Sequence, residues 1–291
     1  MSSTETTLAV PAASGIRKSM LLRCLSHPGT IIGGSIVLFF VLVAILAPVI
    51  APYGPNTSNW LAVRQAPSAL HWFGTDDLGR DILSRVIFGA RASLLVGIVS
   101  VVIAIAIGVP LGLVAGYFGG WIDVVISRCT DALLACPFLV LAIAFAAFLG
   151  ASLENAMIAI GISAMPIFVR LSRGQVLSVK NEDYIAAARL LGVSNTKIIA
   201  VYVVPNVMAP IVVQATITMA TAVLAEASLA FLGLGQRPPD PSWGTMLDVA
   251  RQFLTQASWM AVWPGLAIIA LVMGFNLLGD GLNDALDPRE N

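Results

Sequence analysis

Side chains able to do chemistry are few and scattered in this sequence. The only lysines, Lys18, Lys180 and Lys197, follow Arg17, Val179 and Thr196, so none completes the Gly-Lys-Ser/Thr run that cradles nucleotide phosphates. His27 and His71 stand in loop sequence without a neighbouring ligand cluster, and Cys24, Cys129 and Cys136 form no Cys-x-x-Cys pair, which argues against metal and redox chemistry. The cysteines read as packing residues. No Ser/His/Asp set, paired carboxylates or His-Glu-x-x-His run points to hydrolysis. Two polar features do have spacing. Gln214, Thr218 and Thr221 fall four and three apart, a stripe that either lines a water-filled path or hydrogen-bonds to a neighbouring helix. The stretch NEDYIAAARLLGVSNTKIIAVYVVPN, residues 181–206, places a charged, alanine-rich helix between two apolar runs.

The elements around these features are membrane spans. Of 291 residues, 58% are hydrophobic and 11% charged, whereas a soluble domain carries about 25% charge. A span needs about 20 apolar residues, because the hydrocarbon offers backbone groups no partner. Six runs qualify: Thr30 to Ile50, Ser93 to Gly116, Ala132 to Phe148, Asn155 to Ser172, Ile198 to Ala225, and Trp259 to Gly279. The first is too long for a signal-peptide core and reads as an uncleaved anchor. The sequence therefore predicts an all-α polytopic membrane protein. Its parts are an arm at 1–29, a span at 30–50, a loop with a surface helix at 51–91, a five-helix core at 92–284 containing the loop 181–199, and a tail at 285–291. Formal net charge is zero, which gives no footprint for nucleic acid.

Arg17, Lys18 and Arg23 share a side with Arg170, Arg173, Lys180, Arg189 and Lys197, which the positive-inside rule makes cytoplasmic, with both termini. Residues 16–26 form either a short interfacial helix or a basic tail. In the first outside loop, Gly74 predicts a turn and Asp76 and Asp77 a helix start, with Leu78, Ile82 and Val86 laid against the membrane surface. LAFLGLGQRPPDPSWG, rich in Gly and Pro, ends the fifth span near Glu226 and forms a cap, a gate or a stiff connector. Asp123, Arg128 and Asp131 precede the third span, as gate ion pairs or as interfacial anchors.

Within residues 181–206, Asn181 is placed to cap a helix whose first turn holds Glu182 and Asp183, and Gly192 to end it in the left-handed conformation. Tyr184, Ala188 and Leu191 fall on one face, Ala186, Ala187 and Ala188 keep the helix thin, and a second start at Ser194 or Asn195 runs into the fifth span. The pair makes a stiff elbow, suited to a partner that moves a span or serving only as an interhelical connection.

YIAAARLLG with its following VVP, in which Gly192 stands thirteen residues before Pro205, resembles the E-A-A-x-x-x-G-(x)-I-x-L-P loop of permease subunits of bacterial ABC importers. GTDDLGRDILSRVIFGARASL (74–94), RCTDALLACP (128–137) and ASLAFLGLGQRPPDPSWGTML (227–247) resemble segments of the peptide and nickel importer permeases, and the arm with its long first loop resembles their C-type subunit. The resemblance implies a type I importer permease fold. It also implies that Asp183 to Ile199 docks on an ATPase subunit through Asp183, Tyr184, Ala186, Ala187, Ala188, Leu191, Gly192 and Lys197, with Pro205 closing the motif. Ala186 stands where the family has glutamate, and Asp183 offers a carboxylate on the same face.

By the same resemblance, ATP and Mg bind on two partner ATPase subunits and none on this chain. A second permease subunit completes a heterodimer in the bacterial inner membrane, and an extracytoplasmic solute-binding protein delivers oligopeptides or dipeptides. Such an importer is expected to keep a polar, uncommitted channel. Competing readings are a nickel or small-solute permease of the same family, a secondary transporter with inverted repeats and a midplane carboxylate, and a membrane scaffold without transport.

Overall fold

A computed structural model describes residues 27–286; the arm's amphipathic segment, Cys24 and the end of the tail lie outside them. The described chain is helical: α1 (Pro28–Ile50), α2 (Ile82–Phe118), α3 (Gly120–Leu134), α4 (Phe138–Leu149), α5 (Leu153–Val179), α6 (Asp183–Leu190), α7 (Asn195–Phe231), α8 (Trp243–Ala250) and α9 (Trp259–Leu286), with short 3-10 turns at Trp60–Ala62 and Arg251–Phe253. Five helices are long and apolar enough to cross a membrane, and six crossings result if α3 and α4 together make one.

That third crossing departs from the sequence expectation. Ala132 to Phe148 is not continuous: the chain breaks after Leu134, and α3 and α4 meet at 92°. Pro137 explains the break, because its ring disfavours helical geometry at Cys136 and leaves it outside α4 as the N-cap. At 12 residues α4 reaches about 18 Å, short of the ~30 Å hydrocarbon. Gly119 and Gly120, at φ 67° and 59°, turn the chain directly from α2 into α3. Cys129 and Cys136, expected in the packing, are exposed, because nothing among the described residues covers that side of the α3–α4 corner.

Glycines set how closely the helices approach. Gly108, Gly112 and Gly116 repeat every fourth residue along α2 and face α5: a Cβ at Gly108 would stand 2.7 Å from the Met165 carbonyl, one at Gly112 would strike Ser172 Oγ, and one at Gly116 would stand 2.8 Å from Val176 Cβ. Gly161 returns the fit against Ile103. Small residues let backbones touch where lipid provides no hydrophobic drive between helices. Antiparallel α1 and α9 use the same device, with Gly33 against the Gly274 carbonyl and Leu278, and Gly281 against Thr30.

The surface helix expected from Asp76 does not form. Asp76 closes a turn instead, its Oδ1 accepting from the Leu78 and Arg80 amides at 2.9 Å each, while Arg80 Nε donates to Oδ2 at 2.6 Å. The helix begins at Ile82, where Asp81 Oδ2 accepts from the Ser84 amide at 2.8 Å, and runs unbroken into the second span. The arginines that interrupt the apolar run are satisfied by carbonyls. Arg85 Nη1 donates to Pro55 O at 2.8 Å, and Arg91 Nε donates to Ala44 O at 2.6 Å. Pro48, inside α1, lacks the N–H that Ala44 O would otherwise accept from, so Arg91 fills a vacancy that proline creates.

The loops 51–81 and 232–258 form a cap at one end of the bundle. Arg64 Nη1 donates to Gln256 Oε1 at 2.9 Å, Trp259 Nε1 to Thr75 O at 3.3 Å, and Trp243 Nε1 to Val86 O at 2.9 Å. Glu226 does not mark a span end: α7 continues to Phe231, and Glu226 is fully buried.

Candidate coupling elbow and polar cleft

The elbow forms at the end of the bundle opposite the cap. Helix α5 stops at Val179, and Asn181 Nδ2 donates to the Leu177 carbonyl at 3.0 Å. Asn181 therefore closes α5 and is not the N-cap of α6, a position taken by Glu182 at φ −70°, ψ 145°. The competing demand came from the preceding helix, whose last carbonyls lack partners of their own. Helix α6 ends as expected. Gly192 adopts φ 74°, its N–H bonds to Arg189 O at 3.0 Å, and Val193 N–H reaches Ala188 O at 3.1 Å, the paired bonds of a Schellman ending.

The exposed face differs from the expected one. Ile185 and Ala188 turn inward, joining Tyr117, Val176, Ile198 and Val203 in one buried cluster, while Tyr184 and Leu191 lie outside. With Ala188 on the floor, Asp183, Tyr184, Ala186, Ala187, Leu190 and Leu191 make the outward surface, and Leu190 and Leu191 are 89% and 82% exposed. A three-residue turn of exposed Asn195, Thr196 and Lys197 opens α7. A π-helical stretch, Ile198–Val203, follows, with the Val204 N–H reaching back to Ile199 O. Pro205 supplies the cause, since it can neither donate to Val201 nor let that carbonyl sit in its usual place.

Sequence reasoning missed the residues that tie the elbow to the bundle. Tyr117 Oη and Asn195 Oδ1 are 2.8 Å apart, the Arg189 guanidinium lies 5.4 Å from the Tyr117 ring centroid, and Lys180 Nζ donates to Gly116 O at 2.8 Å. The repeat of Gly108, Gly112 and Gly116 leading to Tyr117 was the available signal.

Gln214, Thr218 and Thr221 lie in the middle of α7. Thr218 Oγ1 donates to Gln214 O at 2.8 Å and Thr221 Oγ1 to Thr218 O at 2.9 Å, so both hydroxyls bond within their own helix. Thr218 is buried, Gln214 half-buried and Thr221 exposed. A second polar site lies between α3 and α5, where Arg173 Nη2 donates to Asp123 Oδ2 at 2.8 Å and Arg170 Nη2 to Asp131 Oδ1 at 2.7 Å. Asp131, Arg170 and Arg173 border a cleft of about 230 Å³ shared by Ser127, Thr130 and Val169. Arg128 is exposed on the same helix.

Residues 108–291, more than half of the chain, match the family described as binding-protein-dependent transport system inner membrane component. The chain belongs to this family. Residues 17–67 also match the N-terminal transmembrane domain of oligopeptide transport permease C. A dipeptide transport system permease from Alkalihalophilus pseudofirmus is 50% identical over 259 residues, covering 89% of this chain and 85% of that one. A di/tripeptide permease from Pseudomonas aeruginosa is 46% identical over 91% of this chain and 89% of its own, and a glutathione permease from Pectobacterium atrosepticum 42% identical over 92% and 89%. A structure titled as inward-facing conformations of the MetNI methionine ABC transporter superposes with a TM-score of 0.59 at 20% identity, over 71% of this chain and 98% of that one. That likeness shows the type I ABC importer permease fold. As a member of the family, the protein is a multi-pass membrane transport component and not an enzyme.

Proposed function

We propose that this chain is one of two permease subunits of an ABC importer that moves short peptides inward by alternating access. The observation that carries the substrate class is the set of permeases named for dipeptides, di/tripeptides and glutathione, itself a peptide, at 42–50% identity over about nine-tenths of this chain. In this reading the cap faces outside and receives a solute-binding protein, while the elbow and both termini face the cytosol of a bacterial cell. Two ATPase subunits bind ATP and Mg. One of them grips the outward elbow surface of Asp183, Tyr184, Ala186, Ala187 and Leu191, braced by Ala188, Gly192, Lys197 and Pro205. The chain offers one elbow for two ATPase subunits, so a second permease supplies the other.

Peptides carry opposite charges at their two ends, and the cleft between α3 and α5 offers both signs, with Arg170, Arg173 and Asp131 on its wall. Purification in mild detergent with the neighbouring subunits co-expressed tests the assembly. The expected result is co-elution of a second permease and two ATPase subunits, with hydrolysis stimulated by peptide-loaded binding protein. A chain that elutes alone, or a complex whose hydrolysis ignores the loaded protein, contradicts the proposal.

A further inference from the structure

Helix α2 spans 37 residues, about 55 Å at 1.5 Å per residue, so it outreaches the ~30 Å hydrocarbon and ends in both polar assemblies. At the cap end both loops hold its first two turns. Trp243 Nε1 donates to Val86 O at 2.9 Å, Arg85 Nη1 donates to Pro55 O at 2.8 Å and Pro239 O at 3.4 Å, and Gly89 leaves room for the Trp243 ring.

At the other end Tyr117 touches both arms of the elbow. It meets Asn195, the first residue of α7, through its hydroxyl and Arg189, in the last turn of α6, through its ring. Lys180 Nζ binds Gly116 O, one of the last carbonyls of α2, where the negative end of the helix favours a cation. Between the two ends, the glycine rail locks α2 against α5, so sliding one past the other meets backbone.

The structure assigns to α2 the task of carrying elbow movement to the cap, with Tyr117 and Lys180 as positioning residues at the joint and Trp243 as the contact at the far end. This rests on the reading that an ATPase subunit moves the elbow. A displaced α6 drags Tyr117 with it, and because packed helices shift as rigid bodies, the first turns of α2 move under both cap loops.

The test uses the whole transporter, reconstituted with its own partner subunits and binding protein and supplied with radiolabelled dialanine. Tyr117→Phe removes the hydroxyl bond and keeps the ring over which Arg189 lies; Lys180→Met removes the ammonium, Lys180→Arg restores a donor, and Trp243→Phe removes the indole N–H at the cap. The expected result is that the Tyr117→Phe/Lys180→Met double variant and Trp243→Phe retain their ATPase subunits and hydrolyse ATP, while uptake per ATP falls about five- to tenfold, the size of coupling that single polar contacts supply. Lys180→Arg should keep uptake near wild type. Unchanged uptake per ATP in the double variant overturns the assignment, as does loss of the ATPase subunits, which would make Tyr117 and Lys180 mere shapers of the docking surface. Uncoupling by the joint variants but not by Trp243→Phe also overturns it. Failure of the underlying reading shows separately, as wild-type uptake without any ATPase subunit.

Discussion

Arg91 sits among apolar residues, and its guanidinium finds the carbonyl that Pro48 leaves without a donor. Removing a partner from such a group exposes its full desolvation cost, so Arg91→Leu should lower stability by about 1–3 kcal/mol. Thermal unfolding of the detergent-solubilised complex reads this as a lowered Tm, and an unchanged Tm would show that the contact is incidental. Gly192 is a second single-residue test. At φ 74° a β-branched side chain is strained by roughly 1–2 kcal/mol, so Gly192→Val should distort the end of α6 and release the ATPase subunit or leave hydrolysis without transport, whereas Gly192→Asn is tolerated. Subunit retention and uptake, measured together, decide it. Gly192 could be assigned from sequence because its conformational demand is local. Asn181 could not, because two helix ends compete for it and only the fold shows which one wins.

At the scale of elements, the apolar runs located the crossings because burying backbone in lipid leaves so few solutions. Their ends were another matter. Ser93 to Gly116 grew into Ile82–Phe118 once Arg85 found a carbonyl partner in the loop 51–81 and Arg91 one in helix α1, which no local pattern reveals. Ala132 to Phe148 broke at Pro137, whose position was visible but whose consequence depended on whether neighbours straightened the helix. The glycine rail makes a prediction of opposite signs. Gly112→Leu should drive α2 off α5 and destabilise by about 1–3 kcal/mol or more, whereas Gly174→Ala, helical with open space beside it, should be neutral or gain up to about 1 kcal/mol. Yield and Tm of the two variants check it, and equal behaviour would remove the rail from the account.

Across the whole molecule, the elbow and the cap occupy opposite ends of a bundle about one membrane thick, joined by α2. In the inward-elbow orientation, with Cys24, Cys129 and Cys136 replaced by serine and the chain expressed without the ATPase subunits that would cover the elbow, a cysteine at Leu61 should react with an impermeant maleimide on intact cells, and one at Leu190 only after permeabilisation; both positions are about nine-tenths exposed. The reverse pattern would turn the protein over. The proposal stands on the elbow being driven by hydrolysis on a neighbour. Dialanine uptake into proteoliposomes, with binding protein outside and ATP inside, measures this with and without the ATPase subunits. Accumulation that requires both the subunits and hydrolysable ATP is the predicted result, and accumulation that persists after the subunits are removed would contradict it.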